Sequence, residues 1–379
     1  MAEIDHATLM SRDVPIGLIH GRLLEPLREE LLPLYLQRTG NLEIWLQRRA
    51  IDAHRTNSRL LKKALRLAER DDVSTALAMN AVTITDTYWV RPAASDLAWE
   101  DVRFQQNYFA DLALKGDASL AFSREPSRTP ELTNIGSFEK CWRLEGGQWW
   151  LYKQADKKEL FSELFVSFLG RELGFPMARY ERCGNTIRTL DFTGGAKVNF
   201  EPAFALVGEE EDYIQNYRVF QKLGQKFADQ YLQIILMDVL CFNVDRHTEN
   251  YGVLRDVESG KMLCMAPNFD NNLSLLAATG GTLAVPRPHD LLAGMLKDLE
   301  QQTGAFQSYL ERFPAPIVTA GLVERCARAA DFEGDLKGLC TFVLQGAAFL
   351  PCAPIAQSAS EELVRLGKQY FPLEPLMEP

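Results

Sequence analysis

The sequence has no Cys-x-x-Cys pair, and its seven cysteines (Cys141, Cys183, Cys241, Cys264, Cys326, Cys340 and Cys352) are odd in number and scattered. That excludes a disulfide framework or a zinc ribbon and reads as free thiols in a reducing cytoplasm. Only five histidines occur, equally dispersed, which argues against a transition-metal centre. Lys and Arg (41) are outnumbered by Asp and Glu (51), for a net charge of −10. With no basic surplus to meet phosphates, direct nucleic-acid binding is not expected. No apolar run approaches the roughly 18 residues of a membrane span, and the start, MAEIDHATLM, has no signal-peptide core. The G-x-x-x-x-G-K-[ST] loop of P-loop NTPases and the G-x-S-x-G elbow of hydrolases are missing, as is any internal repeat. What is there is ordinary for a soluble globular protein. Of its 379 residues 46% are hydrophobic and 24% charged, enough chain for two or three domains.

The hydrophobic pattern divides the chain into three. Residues 1–120 read as a mainly helical region, in which RTNSRLLKKALRLAERDD forms a basic amphipathic helix with Leu60, Leu61, Ala64, Leu65 and Ala68 on one stripe. The stretch near Asp86 and Trp89 reads as core and interdomain packing. After a polar, Pro- and Ser-containing linker (SREPSRTPELTN), residues 121–205 read as a small sheet with one helix. KCWRLEGGQWWLYKQ is a hairpin around Gly146-Gly147, and KKELFSELFVSFLGRELGF is a helix stopped near Gly174 and Pro176. Short strands follow in MARYERC, NTIRTLDF and KVNFEPAF. Residues 206–379 read as a helical region.

One stretch, LCFNVDRHTENYGVLRD, breaks the pattern. A long apolar helix gives way within six residues to Asp245, Arg246, His247, Glu249 and Asn250, and apolar character then returns. A solvated loop is the plain reading; a catalytic loop holding a metal nucleotide is the sharper one. About twenty residues on, a second apolar stretch ends at Asp270, and a hairpin-like segment between them would bring Asp270 beside Asn250. Phosphoryl transfer needs a carboxylate to orient the acceptor hydroxyl and hard oxygen ligands for Mg²⁺. Asp245 fits the first need, and Asn250 and Asp270 the second. His247 fits a supporting place, beneath the loop or hydrogen-bonded to Asp245. Upstream, Gly136 in TNIGSFEK lies where backbone amides can approach phosphates. Lys153 ends the strand WWLYK within reach of a phosphate pair, and Glu163 (or Glu159, one turn earlier) on the next helix is a carboxylate for it. Taken singly, each of these three is more often a plain turn glycine, a lysine reaching solvent or an exposed helical glutamate.

Together these pieces resemble the HipA-like serine/threonine kinase family. The resemblance rests on Thr133, Gly136 and Lys140 in a Ser/Thr-x-x-Gly-x-x-x-Lys stretch, on Lys153, and on Glu163 ahead of Leu173-Gly174. It rests further on Asp245, His247 and Asn250 in D-x-H-x-x-N, and on Phe269, Asp270 and Ser274 in an aromatic-Asp-x-x-x-Ser stretch. It spans roughly residues 125 to 350. It implies an α+β, bilobal protein-kinase-like fold: a small antiparallel sheet plus helix, a larger helical lobe and an extra N-terminal helical region. It implies ATP and Mg²⁺ as cofactors, a protein Ser/Thr hydroxyl as acceptor, Asp245 as catalytic base, and Asn250 and Asp270 as metal ligands. Lys153 and the loop with Gly136, Ser137 and Lys140 would meet the phosphates. The backbone from Phe200 to Phe204, with Glu201, is the expected adenine hinge. Family members autophosphorylate on that loop, which points to Thr133, with Ser137 as a neighbour. They often act in growth-arrest toxin–antitoxin systems beside a small DNA-binding partner. Here the loop reads GSF where the family has G-A-Q.

Other classes compete. DRHTEN also matches the catalytic loop of phosphoinositide kinases, but those follow with Asp-Phe-Gly, whereas Asp270 precedes Asn-Asn-Leu-Ser. A pseudokinase would keep the fold and bind nucleotide without turnover; the presence of Lys153, Asp245, Asn250 and Asp270 together speaks against it. A site of His247 with Asp245 and Asp270 for Fe or Mn lacks a second histidine.

Overall fold

The computed structural model describes residues 6–52, 55, 57–67, 71–117, 128–133, 139–283, 287 and 291–367. The chain forms two compact units, each built from interleaved segments. The first comprises Met1–Ala155, Ala178–Glu209 and Thr248–Pro267, and the second Asp156–Met177, Glu210–His247 and Asn268–Pro379. All eleven strands of the described residues belong to the first.

The N-terminal segment is mixed rather than mainly helical. It opens with β1 (Ala7–Ser11), β2 (Val14–His20) and β3 (Leu23–Pro26), which with β4 (Tyr88–Pro92) form an antiparallel sheet in the order β3-β2-β1-β4. The hairpins turn on two residues each, Arg12-Asp13 and Gly21-Arg22, with positive φ at Arg12 and Gly21. The inward residues Leu9, Ile16 and Ile19 pack with Trp45, Leu46, Tyr88 and Val90 from the helix Leu42–Gln47 and from β4. The expected basic helix is also shorter. It runs Ser58–Ala64 with Leu61 fully buried, and Arg66 already has φ +58°.

The second sheet contains β5 (Lys140–Glu145), β6 (Gln148–Lys153), β7 (Tyr180–Cys183) and β8 (Thr186–Leu190) in the order β5-β6-β8-β7. The β5–β6 turn is Gly146-Gly147, both with positive φ, as the sequence led one to expect. The third has β9 (Val198–Pro202), β10 (Gly252–Asp256) and β11 (Met262–Met265), with β10 in the middle. The β10–β11 hairpin is the segment expected between Asn250 and Asp270. Gly252 is required at its start, because a Cβ there would run into the Glu201 carbonyl oxygen.

The second unit is helical. Lys157–Glu172 starts in a capping box, with Asp156 accepting from the Lys158 and Glu159 amides and Glu159 accepting from the Asp156 amide at 2.9 Å. That occupies Glu159, the alternative to Glu163. The helix ends before Gly174 (φ +78°). Gln225–Cys241 is almost wholly buried and packs on Tyr213–Leu223, Leu291–Thr303 and Leu336–Ala348. All seven cysteines are free thiols. Among the described residues, no helix is long and apolar enough to cross a membrane.

Candidate functional site

The helix Gln225–Cys241 carries one acid, Asp238, in its otherwise apolar last turns, and that acid organises the loop beyond. Phe242 ends the helix with φ +55°, a conformation rare for a bulky side chain. Arg287 lies over its ring and donates to the Val239 carbonyl at 2.8 Å, satisfying the helix end. The Asn243 amide side chain donates to Asp238 at 3.1 Å, while its carbonyl oxygen accepts the Asp245 backbone N–H at 3.1 Å. His247 N–H closes the turn onto the Asp245 carbonyl at 2.9 Å.

Arg246 is the knot of this region. Its guanidinium bonds to Asp238 at 2.9 and 3.0 Å, to the Phe269 carbonyl at 2.8 Å, and to Asn268 and Asn271 Oδ1 at 3.1 and 2.6 Å. One buried cation therefore ties the Asp245 loop to the segment that carries Asp270. Burial works against the Arg246 charge, but Asp238 outweighs it and holds the guanidinium above its usual value. Asp270 sits in the left-handed region at φ +60°. Its flanks are pinned: Asn268 N–H donates to the Pro176 carbonyl at 2.9 Å, and Asn271 N–H donates to the Glu163 carboxylate at 2.9 Å. Glu163 is thus a buried brace for the residue after Asp270.

Asp245 is half buried. Burial raises its carboxyl above the ordinary Asp range; His247 and Arg246 pull it down, while the like charges of Asp270 and Glu211 push it up. The structure thus brings Asp245, His247, Asp270 and Glu163 together within the helical unit. Asn268 and Asn271 each keep a buried Nδ2 donor, and Ser274 a buried hydroxyl, with no hydrogen-bond partner among the described residues. Such groups call for water or a ligand oxygen. The expected ligands, the Asp270 carboxylate and the Asn250 amide oxygen, are hard oxygen donors of the kind Mg²⁺ takes. No three His, Cys, Asp or Glu gather as a metal cluster among the described residues, and the expected ligand pair, Asn250 and Asp270, has only one acid.

The remaining candidates belong to the stranded unit. Asn250 is buried in a segment stapled to β9 and its exit, with Ala203 N–H donating to the Tyr251 carbonyl at 2.8 Å and Phe204 N–H to the Thr248 carbonyl at 3.0 Å. Lys140 and Lys153 are directly opposite each other across β5 and β6, and both are buried. The Glu201 side chain is committed elsewhere: it pairs with buried Arg255, and it accepts from Tyr88 Oη at 2.9 Å and Leu34 N–H at 2.6 Å. A hinge contact at that position would use backbone. Thr133 closes a 3₁₀ turn (Pro130–Thr133), buried, its hydroxyl donating to the Pro130 carbonyl at 2.8 Å. Gly136 and Ser137 lie outside the described residues.

Sequence reasoning missed Asp238, Asn243, Asn268 and Asn271, and counted Arg246 only as a base of the loop. The available signal was a lone acid inside ILMDVLC, since a buried carboxylate needs a partner.

No protein-family model matches the chain, and no curated protein matches it. Among solved structures, the toxin–antitoxin system HipA, HipB and its operator DNA from Shewanella oneidensis MR-1 matches with a TM-score of 0.54 at 14% identity, over 95% of both chains. The chain has the HipA fold. This meets the α+β fold expectation drawn from the sequence resemblance, with the N-terminal region mixed where a helical one was expected. The proinflammatory kinase CtkA of Helicobacter pylori also aligns, with a TM-score of 0.40 at 14% identity, over 60% of this chain and 95% of that one. That likeness is too loose to bear on the fold. The HipA likeness reaches well outside residues 125 to 350, and therefore takes in N-terminal residues that the motifs do not cover.

Proposed function

We propose that the chain is a cytoplasmic serine/threonine protein kinase that moves the terminal phosphoryl group of ATP to a protein hydroxyl. The observation that carries this is the buried Arg246 knot, which ties the Asp245 loop to the segment bearing Asp270. In this reading residues 121–205 supply the nucleotide-facing sheet and residues 206–379 the catalytic loop. Asp245 orients the acceptor hydroxyl and takes its proton as the oxygen attacks phosphorus; its raised pKa makes it a better proton acceptor. His247 stabilises the turn that presents Asp245. Asn250 and Asp270 would hold Mg²⁺, which when bound offsets charge on the phosphates. Lys140 and Lys153, with the loop containing Gly136 and Ser137, contact the phosphates, and the backbone near Glu201 meets adenine.

Autophosphorylation at Thr133 requires its 3₁₀ turn to open, because the hydroxyl is buried and already donating. Mass spectrometry after incubation with Mg-ATP checks this, and unmodified Thr133 and Ser137 would remove both from the proposal. The solved HipA structure contains HipB and operator DNA; a small DNA-binding antitoxin is the corresponding partner proposed for this chain.

The test is phosphate incorporation from labelled Mg-ATP. Asp245→Asn and Asp270→Asn should each lower transfer by about 10³-fold or more, with melting temperature nearly unchanged. Near-normal turnover in either variant refutes the assignment. ATP bound but never turned over by the wild type indicates a nucleotide-binding module instead.

A further inference from the structure

Arg48 caps the helix Leu42–Gln47, far from Asn250 in sequence, yet its guanidinium pairs with Glu249, the residue just before Asn250. The same guanidinium lies 3.3 Å from the centre of the Phe204 ring and 3.5 Å from Glu209. Phe204 is itself tied to this segment, donating its N–H to the Thr248 carbonyl at 3.0 Å. From the preceding helix, Leu34–Thr39, Arg38 donates to the Phe204 and Ala205 carbonyls at 3.0 and 2.9 Å, and Tyr35 stacks on Phe204. Two N-terminal helices therefore grip the turn that carries Asn250, on its side-chain flank through Glu249 and on its backbone flank through Phe204.

We propose that Arg48 is a positioning residue for Asn250, acting through Glu249 to set how firmly the divalent cation is held. This rests on the kinase reading above. The Arg48 side chain is 35% exposed, and pairs with that much solvent contribute little to folding, so its loss should show in the cation rather than in the fold.

The experiment titrates Mg²⁺ against binding of a fluorescent ATP analogue, with the same analogue measured in EDTA as reference. Arg48→Ala and Glu249→Gln should each raise the Mg²⁺ needed for half-saturation by about tenfold or more, with binding in EDTA unchanged. Arg48→Lys should recover part of the loss. The double variant should be no worse than either single one, because both break one link. Unchanged Mg²⁺ dependence in Arg48→Ala, or equal losses with and without Mg²⁺, overturns the proposal; should Arg48→Ala fail to fold, Glu249→Gln decides alone. If the wild type binds the analogue without any Mg²⁺ dependence, the kinase reading falls and takes this inference with it.

Discussion

Arg246 and Arg255 are both sealed from solvent, and each is bonded to one buried carboxylate, Asp238 in the helical unit and Glu201 in the stranded unit. Their remaining partners differ. Arg246 bonds to Asp238, Asn268, the Phe269 carbonyl and Asn271, in the segments on either side of Asp245 and Asp270. Arg255 reaches the carbonyls of Glu30, Leu32 and Gly260 and the Tyr88 hydroxyl, joining the N-terminal sheet to β9 and β10. The same chemical device therefore serves geometry in one place and assembly in the other. Burial of an ion pair does not reveal which; the addresses of its partners do.

The largest effect should come from Arg246→Met, which strands Asp238 and should cost about 3–5 kcal/mol of stability together with transfer activity. Adding Asp238→Leu should restore most of the stability but not the activity, read by denaturant unfolding and phosphate incorporation. If activity returned with stability, Arg246 would be a mere core group. Arg255→Met should cost a similar 3–5 kcal/mol or somewhat less, and Glu201→Leu beside it should recover stability and activity together. A double variant that is stable but inactive would erase the contrast between the two arginines.

Lys153 is a third buried basic residue, in register with Lys140 across β5 and β6. Lys153→Ala should weaken nucleotide binding by about tenfold, near 1.4 kcal/mol, while leaving the fold intact; unaltered binding would remove it from the site. At the small end stands exposed Asp71, which caps the helix Asp72–Ala78 by accepting the Ser74 N–H at 2.7 Å. The hydrogen bonds from Ser74 hold its carboxyl below the usual value. Its folded pKa being the lower one, the stabilisation is present above about pH 4 and fades as pH falls through the folded pKa. Asp71→Ala should cost about 1 kcal/mol at pH 7 and flatten the acid limb of the stability curve. An unchanged limb would show that the cap does not hold in solution.

The Asp245 to Asn250 segment was legible because polar residues of several kinds crowd between two apolar runs. The Gly146-Gly147 turn was legible because little else suits two successive positive φ values. The N-terminal sheet was not, since its hairpins turn on Arg12-Asp13 and Gly21-Arg22, neither an Asn-Gly signal. The Arg246 knot was hidden for another reason: its acceptors lie 8, 22, 23 and 25 residues away, and the knot spans a helix and two loops that no single period joins. The Glu201 pair joins residues still farther apart.

The positive φ of Asp270 bears on how this position can be probed at all. An alanine scan would confound two losses there, the carboxylate and a backbone posture that alanine resists. Glycine would adopt the posture but loosen the chain around it. Asparagine alone deletes the charge and leaves the peptide at ease, so a dead asparagine variant speaks about chemistry and a dead alanine variant does not.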